Sequence, residues 1–232
     1  MIKNKSKKAL LIVHQKRSSV GDVGMKLKQR NYTLDIRRPA LGDELPSNMN
    51  EHDLAVIYGG PMSCNDNANY IKYEIEWINE ALKLNKPFLG ICLGAQMLAK
   101  NLGAKVTPAY DKSCEIGFFD IHPSDKGAKI FKNQKIFFQW HSEGFDLPDG
   151  SKLLAKGNKF PNQAFCYNNA YGIQFHPEVN FKMHLMWLYF ASYRLKEVGA
   201  QSRKHQLTQR LKYGKKINMW LDNFLDNYLL KT

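Results

Sequence analysis

The sequence predicts an α/β domain in which a largely parallel central sheet lies between layers of helices. Two observations predict it. Strand and helix patterns alternate through the first hundred residues, and from Cys114 short strands separated by turns extend the sheet in a mixed or antiparallel sense. At 232 residues the chain is large enough to bury a full core. Residues 1–200 read as this domain and residues 201–232 as a helical extension packed on it.

Residues 10–13, 32–36, 54–58 and 88–91 read as strands. Residues 25–30 and 70–84 read as the helices between them; in the second, Ile71, Ile75, Ile78 and Leu82 recur at helical spacing. Residues 38–50 hold Pro39 and Pro46 and read as a loop. A helix-forming run at 95–101 follows the fourth strand. The second half offers strands at 115–121, 135–139, 152–155, 163–167 and 171–175, with turns at Gly127, Pro148-Asp149-Gly150 and Asn168-Asn169. Residues 181–198 read as one helix and 207–230 as another. Ile217, Trp220, Leu221, Phe224, Leu225 and Tyr228 stripe the latter, with Gly214 interrupting it upstream. The stripe suits packing against the domain, with a partner surface as the alternative.

Composition excludes several classes of function. Cys64, Cys92, Cys114 and Cys166 are widely scattered, without the close pairs of a zinc site or a disulfide framework, so no metal and no cofactor is expected and a reducing cytoplasm fits. The amino terminus is basic over residues 3–8, but the apolar run after it is too short for a signal peptide, and a first buried strand is the better reading. No segment approaches the ~20 apolar residues that cross a bilayer. The net charge of +13 comes from basic residues spread along the whole chain. With no nucleic-acid module in the sequence, it reads as solvated surface, and a nucleic-acid partner is not expected.

The chemistry gathers at two motifs. In Gly90-Ile91-Cys92-Leu93-Gly94-Ala95-Gln96, a cysteine sits between close glycines where a strand gives way to a helix. This is the thiol form of a nucleophile elbow, with Cys92 at the helix end whose dipole favours thiolate. The two glycines are expected to permit a sharp bend and leave room for a substrate. In His176-Pro177-Glu178, residues two apart in an extended segment project to one side, which suits an imidazole base oriented by a carboxylate. Gly59-Gly60-Pro61 follows the third strand, on the side where α/β sheets bind ligands. It is a plain turn or an oxyanion loop in which the Gly60 amide acts with that of Leu93. His14, His52, His122, His184 and His205 have no partner identifiable from sequence, Trp140 reads as core, and Cys64 as a spectator or a redox-sensitive thiol.

These stretches, together with Gln139-Trp140-His141-Ser142 and Gln174-Phe175, stand in the order of the class I, triad-type glutamine amidotransferases, which the chain resembles over roughly residues 8–190. It looks most like the stand-alone relatives of the GMP synthase amidotransferase domain. The resemblance implies the family's flavodoxin-like three-layer fold, glutamine as substrate, and a Cys92–His176–Glu178 triad forming a γ-glutamyl thioester. It also implies an oxyanion hole at Gly60 and Leu93, and substrate contacts from Gly59, Gln96, His141 and Ser142, although Gln96 alternatively packs its own helix. The family's His-Gly-Asp reads here as His141-Ser142-Glu143, which departs from the pattern at two positions. No nucleotide-binding loop follows the motifs, so ammonia is expected to pass to a separate synthase. The alternatives are a γ-glutamyl peptidase using the same triad and a non-catalytic regulatory relative.

Overall fold

A computed structural model describes residues 7–231, so most of the basic stretch 3–8 lies outside the described residues. Strand β1 (Lys7–Ile12) is flanked by β2 (Tyr32–Arg37) and β3 (Leu54–Ile57), and β4 (Phe88–Ile91) follows, all parallel. Strand β11 (Ala170–Ile173) pairs parallel with β4, with Ile173 opposite Ile91. Beyond it the sheet turns antiparallel through β10 (Ala164–Tyr167), β9 (Lys152–Gly157), β6 (Glu115–Pro123) and β7 (Ile136–His141). The nine-stranded order is β2-β1-β3-β4-β11-β10-β9-β6-β7.

Helices cover both faces because the parallel strands are apolar on both. In β1, Leu10 and Ile12 face one core, with Ile71, Trp77 and Ile78 of α2 (Asn69–Lys83) and Leu93 and Leu98 of α3 (Leu93–Asn101). Ala9, Leu11 and Val13 face the other, with Val23 and Leu27 of α1 (Gly21–Gln29) and Ile217, Trp220, Leu221 and Phe224 of α5 (Arg203–Phe224). The period-two alternation of a strand distributes one run of apolar residues to two cores. Trp220 meets Phe137 of β7 edge-on at 4.9 Å and donates its indole N–H to the Ile130 carbonyl at 2.9 Å, so the α5 stripe packs against the sheet and the turn before β7.

The expected helix over 181–198 is broken. Helix α4 (Phe181–Phe190) starts where the Asn180 side chain accepts the Met183 amide, and it stops at Ala191. Residues Ser192–Lys196 form a 3₁₀ turn, in which Arg194 grips Glu197 three residues on. The tighter turn brings residues i and i+3 into line, which suits that pair. Helix α5 begins at Arg203, before the expected 207, because Ser202 accepts the His205 amide. Gly214 lies within it without a break, and the chain ends in a π-helical turn, Leu225–Leu229. A small sheet of β5 (Val106–Pro108) and β8 (Glu143–Phe145) was not legible, since three residues show no period.

Candidate active site

Strands β3, β4 and β11 are neighbours, and their carboxyl ends deliver Gly59, Cys92 and the His176 segment to one crevice. Cys92 has φ +51° and ψ −105°, a conformation L residues rarely adopt, and its amide donates to the Ile173 carbonyl of β11 at 2.8 Å. The sharp bend is thus made by the cysteine itself. The expectation that Gly90 and Gly94 leave room for a substrate is corrected: backbone fills that room. A Cβ on Gly94 would lie 2.1 Å from the Ile57 carbonyl oxygen, and one on Gly90 would lie 2.5 Å from that of Gly94.

His176 is buried, and its Nδ1 donates to Glu178 Oε1 at 2.8 Å; the ring also interacts with the Cys92 side chain. The segment is held by its backbone, with the His176 amide donating to Phe138 and the Glu178 carbonyl accepting from Asp22. Burial opposes the charged imidazole, but the charges of Glu178 and of the Cys92 sulfur outweigh it and hold the His176 pKa well above the ordinary histidine range. Gly59 packs where these groups meet: a Cβ there would stand 2.7 Å from His176 Cε1 and 3.5 Å from Cys92 Cβ.

His14 was without a partner in the sequence, and the structure corrects this. Its Nδ1 donates to the Gly59 carbonyl at 3.2 Å, and its Nε2 meets Glu74 Oε2 at 2.9 Å, with both side chains fully buried. The carbonyl can only accept, so Nδ1 carries a hydrogen and a further proton lies between the ring and Glu74. A Cβ on Gly60 would lie 3.1 Å from the His14 ring. The signal was present: His14 follows the first strand at its ligand-binding edge, and Glu74 falls on the buried face of α2 with Ile71 and Ile78. His52, His122 and His184 likewise have partners, in Asp35, Asn158 and Gln206.

The other wall is a buried polar network. The Gln96 amide donates to the Glu143 carbonyl at 2.9 Å and to Gln174 at 3.3 Å. His141 Nδ1 donates to the same carbonyl at 2.9 Å, with Nε2 3.1 Å from Glu115 Oε2. Ser63 Oγ donates to Glu143 Oε1 at 3.1 Å. Gln96 therefore braces α3 to Glu143 at the start of β8 while also lining the cleft beside Ser142 and His141. Trp140 lines the cleft too, edge-on to Trp187 at 5.7 Å, and Trp187 meets the His176 ring edge-on at 5.0 Å. The opening is about 940 Å³ and runs from Gly60 to Phe190. Among the described residues, no group of His, Cys, Asp and Glu is placed to hold a metal, and no helix is long and apolar enough to cross a membrane.

The chain is similar to several known proteins. The glutamine amidotransferase-like protein YfeJ of Salmonella typhimurium is 32% identical over 178 residues, covering 72% of this chain and 74% of its own. The glutamine-hydrolysing GMP synthase subunit of Sulfurisphaera tokodaii is 32% identical over 136 residues, 56% of this chain and 70% of that one. The chain spans about a quarter of the length of the full GMP synthases that it matches. A glutamine amidotransferase structure from Thermotoga maritima superposes with a TM-score of 0.87 at 29% identity, over 98% of this chain and 100% of that one. Residues 13–194 match the family described as glutamine amidotransferase class-I, and that span contains every residue of the crevice named above. The chain is a member of the class I glutamine amidotransferase family.

Proposed function

We propose that Cys92, His176 and Glu178 are the catalytic triad of a glutaminase, and that the ammonia released serves a separate, GMP-synthase-like chain. The observation that carries this reading is a cysteine strained at a strand-to-helix elbow beside an imidazole fixed by a buried carboxylate. Cys92 attacks the side-chain carbonyl of glutamine, and charge on the oxygen is met by the amides of Gly60 and Leu93. His176 protonates the departing nitrogen, leaving a γ-glutamyl thioester. Water, activated by the same ring, then releases glutamate. Gly59, Gln96, His141 and Ser142 hold the amino-acid end of the substrate. A non-catalytic relative is disfavoured, because all three triad residues are present and His176 is bonded to Glu178. Delivery to a second chain is supported by relatives named as GMP synthase subunits, and four unpaired cysteines fit a reducing cytoplasm.

Glutamate release from glutamine by the purified chain, with and without a candidate synthase, tests the reading; a rate equal to that of a Cys92→Ala control under both conditions would sink it. Glu178→Gln lowers kcat by roughly 10²–10⁴-fold, since the ring loses its orienting partner. The same change removes a negative charge that raises the His176 pKa, so the imidazolium is lost at lower pH. The basic limb of kcat/KM therefore moves to lower pH, which a pH–rate profile reads directly. His14→Ala releases the Gly59 peptide and lowers kcat by ~10-fold or more, with less change in KM. Alkylation of Cys92 by iodoacetamide forms no oxyanion, and its rate stays near that of the parent. An equal loss in both assays would mean general disruption instead.

The size of the cleft favours a second reading, a γ-glutamyl hydrolase with the same triad. About 940 Å³ lies near the upper end of the range that holds drug-sized ligands.

A further inference from the structure

We infer that the cleft takes γ-glutamyl amides whose amine portion is an aromatic amino acid, γ-glutamylphenylalanine being the simplest case. The inference rests on the Cys92–His176–Glu178 triad and deepens the γ-glutamyl hydrolase reading above. His176 must give its proton to the leaving nitrogen, so whatever that nitrogen carries lies beside the imidazole. There the protein presents indole rings. Trp187 meets His176 edge-on at 5.0 Å, Trp140 meets Trp187 at 5.7 Å, and both indoles are partly open to the cleft. Met186 and Phe190 continue the same wall.

Departing ammonia has no use for this surface, whereas an aromatic side chain gains apolar burial and edge-to-face contact from it. The rim adds the complementary charge. Lys16 and Arg17, on the exposed loop after β1, line the cleft without an ion-pair partner among the described residues, and they suit the carboxylate of the leaving amino acid. Arg194 also lines the cleft, but it is already committed to Glu197. The recess is concave, with its indoles set back beside the triad, which suits a small molecule better than the flat face of a protein.

The chemistry balances without any added reagent. The Cys92 sulfur–carbon bond forms and the γ-carbonyl carbon–nitrogen bond breaks as His176 protonates the leaving amine. Water then breaks the thioester, yielding glutamate and restoring the proton to the Cys92–His176 pair.

Glutamate release is measured from glutamine, γ-glutamylglycine and γ-glutamylphenylalanine, with parent, Trp187→Ala, Trp140→Ala and Cys92→Ala proteins. The expected kcat/KM for the phenylalanine compound exceeds that for the glycine compound by ~10- to 100-fold in the parent. Either tryptophan variant brings that ratio toward one. Equal rates on the two dipeptides, or turnover of glutamine alone, would overturn the inference and leave the triad reading standing. Release that survives in Cys92→Ala would overturn the triad reading itself. The parent ratio needs no variant to fold, and the second, partly buried Trp140 position guards against a misfolded Trp187→Ala protein.

Discussion

Cys92→Ala reduces glutamate release by about 10⁴-fold or more and leaves the melting temperature near that of the parent. The two halves of this expectation have separate causes. Only the sulfur can form the acyl bond, and neighbouring cysteines cannot replace it: Cys64 and Cys114 are buried in other surroundings, which push their thiols up to about 12 and about 11. Alanine keeps the Cβ and the strained backbone, so it neither relieves nor adds to the cost of φ +51°. The variant also removes a charge that raises the His176 pKa, so an NMR titration of that ring moves to lower pH. Retained turnover would exclude Cys92 as the nucleophile. Lost turnover with a collapsed melting temperature would make the cysteine structural.

Gly94→Ala destabilises the chain by about 3 kcal/mol, as read from urea unfolding. The added methyl would stand 2.1 Å from the Ile57 carbonyl oxygen and 2.9 Å from its Cβ, so helix α3 must lift from strand β3. That oxygen belongs to backbone and has no rotamer to retreat into. Gly214→Ala is the control. Both glycines lie inside helices, so both changes gain helix propensity, roughly 0.5–1 kcal/mol. At Gly214 the new methyl meets only the flexible Arg210 side chain at 3.3 Å, and stability stays within ~1 kcal/mol of the parent. Equal effects at the two positions would show that the approach of α3 to β3 is not tight. Gly94→Ala also reduces turnover, because lifting α3 displaces Cys92 and the proposed oxyanion donor Leu93 at its amino end.

What was legible in the sequence follows from how locally each feature is encoded. Strands β1 to β4 and helix α2 carry their periods within a few residues, so each was found to within a few positions. The elbow and the His176–Glu178 pair are short motifs, and the structure brings Cys92, His176, Glu178 and Gly59 together. Features that depend on distant partners were not legible. The His14–Glu74 pair joins residues 60 apart, and the segment after α4 is drawn onto β6, where the Cys114 amide donates to the Val198 carbonyl and the Gln201 amide to that of Ile116. The role of Gln96 was left open between substrate contact and packing. Its two hydrogen bonds reach Glu143 and Gln174, positions that only the folded sheet makes adjacent.

The place of β11 has a consequence for how the protein comes into being. It inserts between β4 and β10, so His176, the proposed base, arrives late, more than eighty residues after Cys92, which directly follows β4. Pairings that distant in sequence close slowly, because the loop entropy is lost before the contacts are gained. A nascent or locally opened chain therefore holds Cys92 without His176 to accept its proton. Catalytic competence becomes a reporter of completed folding, and hydrogen exchange at the Cys92 amide, which is bonded to Ile173, tracks the same event that switches the chemistry on.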